Sequence, residues 1–147
     1  MINGIVRAGT LILLALVAAH AHAQTLTVLA SLDGSSGNNP CGRLTLVGNT
    51  LYGTALVGGV YGYGTVFSVP VSGGSPTVLT SFNGNNGAEP YGGLILDGNT
   101  LYGTTGYGDI GFNGDKWSGY GEVFALNLNS TPSPPPSPCL ALAPSGC

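Results

Sequence analysis

The chain has 147 residues, of which only 6% are charged and 43% hydrophobic, with 26 glycines and 10 prolines. Three basic side chains against six acidic ones give a formal charge of −3, so the chain lacks the clustered cations that displace phosphate counterions, and nucleic acid is excluded as a partner. With charge so far below the roughly 25% of ordinary globular domains, solubility falls to Gly, Asn, Ser and Thr.

The N-terminal stretch joins Arg7, the apolar run LILLALVAA (11–19) and AHA (21–23). These are the basic, apolar and small-x-small parts of a secretory signal peptide. The run is shorter than the roughly 20 residues a membrane-spanning helix needs. Residues 1–23 are therefore expected to be cleaved after Ala23, which leaves a secreted or cell-surface mature chain with no transmembrane helix. His20 and His22 leave with that segment, and Arg43 and Lys116 remain as the only cations, for a formal charge of about −4.

The mature chain is written twice. Residues 27–55 align without gaps on 77–105 with 17 of 29 positions identical, including LVGNTLYGTA (46–55) against LDGNTLYGTT (96–105). The offset then changes from 50 to 57, because YGTVFSV (63–69) corresponds to YGEVFAL (120–126). Seven extra residues therefore lie within 106–119, and an insertion between matched segments marks a loop.

In chain order, the first repeat (24–75) predicts strands at 25–32, 42–47, 50–56 and 64–71. The second (76–129) predicts strands at 76–82, 92–97, 100–105 and 120–128. Each rests on alternating apolar and β-prone residues. Gly48-Asn49 and Gly98-Asn99 each separate two alternating runs and predict two-residue hairpins. VSGGSP (71–76) predicts the turn that joins the repeats.

Four short antiparallel strands in about fifty residues, in tandem, predict an all-β fold of two propeller-blade-like repeats. The alternative is a two-sheet β-sandwich. Closed propellers typically have roughly four to eight blades. Two blades close a ring only through partner chains, as a homo-oligomer, unless the chain is a truncated relative of a longer array or packs as an open pair of sheets. After Asn129, STPSPPPSP predicts a polyproline II spacer in a C-terminal tail, 130–147.

The ordered motifs TVLTSFNG (77–84), PYGGLILDGNTLYGTT (90–105) and GYGEVFAL (119–126) resemble the bacterial GloVer tandem repeat of choice-of-anchor proteins. The resemblance spans residues 26–128 and implies a secreted protein of several such repeats with an interchangeable surface anchor. It implies no enzymatic activity. The first repeat departs from the pattern with Cys41 and Arg43 where the second has Tyr91 and Gly93, and the tail carries no recognisable anchor signal.

A Ser or Cys nucleophile needs a nearby base, most often His, and zinc needs His or Cys ligands in number. With no mature His, neither a metal nor a cofactor is expected. Two carboxyl groups suffice for glycoside hydrolysis, so Asp97 and Glu122 keep a secreted carbohydrate-active enzyme as the alternative to a non-enzymatic protein. The loops 33–40 and 83–90 offer alternating oxygen ligands of the kind calcium takes, with Asn-Gly turn chemistry as the simpler reading.

The candidate ligand-binding residues are Tyr107, Phe112, Trp117 and Tyr120, in and beside the inserted loop, where flat rings can stack on a sugar or anchor a protein. The expected role is structural, adhesive or recognitive, with a glycan or a cell-surface protein as partner. Cys41, Cys139 and Cys147 are an odd number, which leaves one thiol over from any pairing.

Overall fold

A computed structural model describes residues 24–115 and 117–130; residues 1–23, expected to be a signal segment, and all but the first residue of the expected proline-rich tail lie outside them. The described residues are all β, with no helix long and apolar enough to cross a membrane. Eight strands are present: β1 (Asn38–Pro40), β2 (Thr45–Val47), β3 (Thr50–Val57), β4 (Thr65–Pro70), β5 (Thr77–Ser81), β6 (Ile95–Asp97), β7 (Thr100–Thr104) and β8 (Val123–Asn127).

They form two antiparallel sheets. The first has five strands in the order β1-β3-β4-β5, with β2 beside β1 along the same edge of β3. The second has three, β6-β7-β8. Among the described residues neither sheet closes into a barrel or a propeller ring.

Both Gly-Asn pairs are hairpin turns: Val47 pairs with Thr50 and Asp97 with Thr100. Only the glycine of each pair takes positive φ, 56° at Gly48 and 57° at Gly98. Glycine at the first central position is the pattern of a type II′ turn, whose twist matches the strands it joins.

Three differences from the sequence reading stand out. The predicted strand 25–32 joins no ladder. The short strand β1 forms from loop residues, because Asn38 and Pro40 find the free C-terminal half of β3. Finally, the first strand of the second repeat, β5, pairs with β4 and so completes the sheet of the first repeat. The second repeat keeps three ladder strands instead of four.

The sheets share a core of Val66, Phe82, Leu94 and Leu101, with Tyr52, Leu79, Phe124 and Leu126 packed against it. Leu79 enters it from a β-bulge in β5, where the register with β4 shifts between Val66 and Phe67. A second cluster, Ala55, Phe67 and Val69, lies on the opposite face of the first sheet and is covered by Ala30 and Leu32. Strand β4 is thus buried on both sides, which explains its near-continuous apolar run.

The paired motifs LYGT and VF have a common cause. Gly53 stands opposite Phe67 across β3 and β4, and Gly103 opposite Phe124 across β7 and β8. A Cβ at Gly103 would lie 2.5 Å from Phe124 Cζ and 2.9 Å from Leu94 Cδ2. The glycine leaves the floor on which the phenyl ring lies. Gly103→Ala is expected to destabilise the chain by about 1–3 kcal/mol through overpacking, read as a fall in thermal midpoint of roughly 4–8 °C per kcal/mol.

Candidate functional site

The inserted loop grows from the end of β7. Tyr107 is half-buried and tied by its backbone to Ala88, with N–H to O distances of 2.8 and 3.1 Å in the two directions. Phe112 folds back over Gly84, where any Cβ would collide with its ring. It meets Tyr63 edge-on at a centroid distance of 5.4 Å. Tyr63 in turn donates its hydroxyl hydrogen bond to Gly114 O at 2.9 Å.

The tip is held by its own polar groups. Asn113 N–H donates to Ser118 Oγ at 3.0 Å, and the Ser118 hydroxyl donates to Asp115 O at 2.8 Å. On this braced loop Trp117 is 70% and Tyr120 88% exposed. The four candidate rings therefore divide: Tyr107 and Phe112 pack the loop onto the sheets, and Trp117 and Tyr120 face solvent. Such exposure of an indole on a fixed loop is the usual setting of an aromatic contact residue.

The acids sit differently from each other. Asp109, at positive φ (58°), lies at the loop entrance. Glu122 is partly buried, with its N–H donating to Thr105 Oγ1 at 3.0 Å. Burial, and then the Asp109 charge, raises the pKa of Glu122. Asp97 is exposed beside the hairpin turn.

Glu89, which sequence reasoning placed only among the loop oxygens, is buried at positive φ (53°), a conformation shared by its repeat counterpart Asn39 (55°). Its carboxylate accepts the Tyr91 hydroxyl at 2.7 Å and pushes that phenol up to about 12. The signal for it was the tolerance of asparagine for this backbone region at position 39.

The two acidic loops bend their oxygens onto themselves. Asp33 Oδ1 accepts the Ser36 N–H at 2.7 Å and the hydroxyls of Ser36 and Ser35 at 2.7 and 2.8 Å. Asn83 Oδ1 accepts the N–H groups of Asn85 and Asn86, each at 3.0 Å. Both are Asx-type turns. Among the described residues no three His, Cys, Asp or Glu side chains converge as metal ligands. Cys41 is exposed and forms no disulfide among the described residues.

The model of the Gloeobacter/Verrucomicrobia repeat matches residues 6–133. This chain belongs to that family. No curated protein and no solved structure matches it. The Gloeobacter/Verrucomicrobia repeat thus accounts for the duplicated motifs, while the loop at 106–119 is a difference between its two copies in this chain.

The Ser36 and Ser35 hydrogen bonds hold the Asp33 carboxyl down to about 2. A depressed folded-state pKa means stability that is fully present above the ordinary carboxylate value and is lost as pH falls through the folded one. Thermal melts between about pH 4 and pH 2 are expected to show a falling midpoint, with a shallower fall in Asp33→Ala.

Proposed function

We propose that this chain is an exported, non-enzymatic repeat protein whose two sheets are propeller-type blades, and that its 106–119 loop recognises a glycan or a cell-surface protein. The observation that carries the reading is the solvent-facing Trp117 on a loop anchored by the Phe112–Tyr63 contact and by three hydrogen bonds at its tip. Binding through an anchored aromatic costs little ordering entropy, because the loop is built before the ligand arrives. The leader-like segment 1–23 supports export, and the low charge with abundant Gly, Asn, Ser and Thr suits a surface exposed to the medium.

Trp117→Ala is expected to weaken binding on a glycan array, or to whole bacterial cells, by about thirtyfold, as loss of an aromatic anchor worth about 2 kcal/mol would do. The thermal midpoint should not move, since the indole is 70% exposed and belongs to neither buried cluster. Undiminished binding by the variant would remove the loop from the contact surface.

One observation favours a second reading as a carbohydrate-active enzyme, namely that Glu122 has a pKa raised first by burial and then by the charge of a second carboxylate, Asp109. Under that reading Glu122→Gln abolishes hydrolysis of the bound glycan and leaves its binding intact. Under the recognition reading the substitution changes neither.

A further inference from the structure

The repeat makes every position of one sheet comparable with its counterpart on the other, and the counterparts differ in burial in one consistent way. On the first sheet Val66 is fully buried against the second, whereas its counterpart on the second sheet, Val123, is 80% exposed. Tyr52 and Tyr63 pack into the shared core, whereas their counterparts Tyr102 and Tyr120 are exposed. In the other direction Leu94 of the second sheet is 5% exposed, and its counterpart Leu44 on the first is 56% exposed. Each sheet therefore has one face that the shared core covers in one repeat and that lies open in the other.

The strand edges repeat the pattern. β5 is the outer partner of β4, and the counterparts of these two are residues 27–31 and β8. Among the described residues β8 has no strand on its outer side, and residues 27–31 pair with no strand. The segment is nonetheless already in position. Ala30 and Leu32 pack on Ala55, Phe67 and Val69 of the first sheet, much as Leu79 and Phe82 pack in the core against the second. Between that segment and the first sheet lies an apolar cavity of about 760 Å³ lined by Leu44, Leu51, Phe67 and Val69. Within the chain the counterpart volume is filled by Val66 and Tyr52.

We infer that the chain assembles head to tail with a second copy of itself, repeating between copies the contact its two sheets make within one. The open face of the second sheet, with Tyr102 and Val123, enters the cavity of the next copy. Residues 27–31 of that next copy add to β8 as its fourth strand. The β4–β5 register, carried over by the offsets of 57 and 50, sets Thr27 opposite Ala125, Val28 opposite Phe124, Ala30 opposite Val123 and Ser31 opposite Glu122. Thr54, whose hydroxyl donates to Gly92 O at 2.9 Å across the sheets, has its counterpart in Thr104, which then reaches Gly42 O of the next copy. A contact that joins two different faces closes into a ring or continues as a filament. With two sheets per chain, a ring of roughly four to eight blades takes two to four copies. This contact leaves Trp117 outside it and stands whether or not the loop binds a ligand.

The test is the solution mass of the full chain by light scattering from low to high micromolar concentration, with far-UV circular dichroism on every variant. The wild type is expected at a multiple of the chain mass. Val123→Asp and Val28→Asp each change a side chain that is exposed within a single chain, and each is expected to run as a folded monomer. An equimolar mixture of the two should form dimers, because each variant retains the face the other has lost. For the register, Thr27→Cys with Ala125→Cys, with the three native cysteines replaced by serine, should form a disulfide between chains on mild oxidation. Thr27→Cys with Leu126→Cys should not. The proposal fails if the wild type is monomeric throughout, if the mixture stays monomeric, or if the Thr27–Ala125 disulfide forms within one chain. Should either aspartate variant lose its β spectrum, the cysteine pair decides alone.

Discussion

The ladder between β4 and β5 is the contact on which the rest of this structure depends. Through it the second repeat lends its first strand to the sheet of the first, so the sequence repeat and the sheet are out of phase by one strand. The two sheets are joined by the chain at 82–94 that leaves β5 and by hydrogen bonds across them such as Thr54 Oγ1 to Gly92 O. Phe82, at the end of that strand, is carried directly into the core it shares with Val66, Leu94 and Leu101. Each such fully buried side chain contributes about 1.5–3 kcal/mol of transfer free energy, and all four lie where the two repeats meet, so neither sheet buries its apolar face without the other.

Close approach of the sheets depends on small residues more than on large ones. Gly103 lies under the Phe124 ring, and a Cβ at Gly42 would fall 2.6 Å from Gly92 O. Hydroxyls then settle the polar groups at this junction, as Thr54 does for Gly92 O. Among the described residues no buried side-chain nitrogen or oxygen lacks a hydrogen-bond partner. That bookkeeping explains how a chain with so few charges keeps a specific packing: uncharged donors and acceptors meet one another across glycine-thin contacts.

The loop of the second repeat makes different use of the same materials. Its extra residues add no strand. They fold Phe112 back against Tyr63 of the first repeat and leave Trp117 facing outward. A variation confined to one copy, on a scaffold otherwise held by repeat-wide contacts, is what a surface loop tolerates.

The sequence by itself determined the local units. Alternation located seven of the eight strands, Gly-Asn placed both hairpins, and the change of offset from 50 to 57 marked the loop, because strand period, turn chemistry and insertion are all local properties of the chain. The all-β class followed from the same signals, and the rings of the candidate loop were legible as a cluster of residue types. Which of those rings face solvent was not, since Phe112 and Trp117 are alike in composition and differ only in whether Gly84 and Tyr63 lie beneath them. Nor could 25–32 and 77–81 be told apart: TVL stands in both, yet only the second finds a ladder. Strand pairing is a contact between distant segments, and a strand becomes one only where another edge is there to receive it.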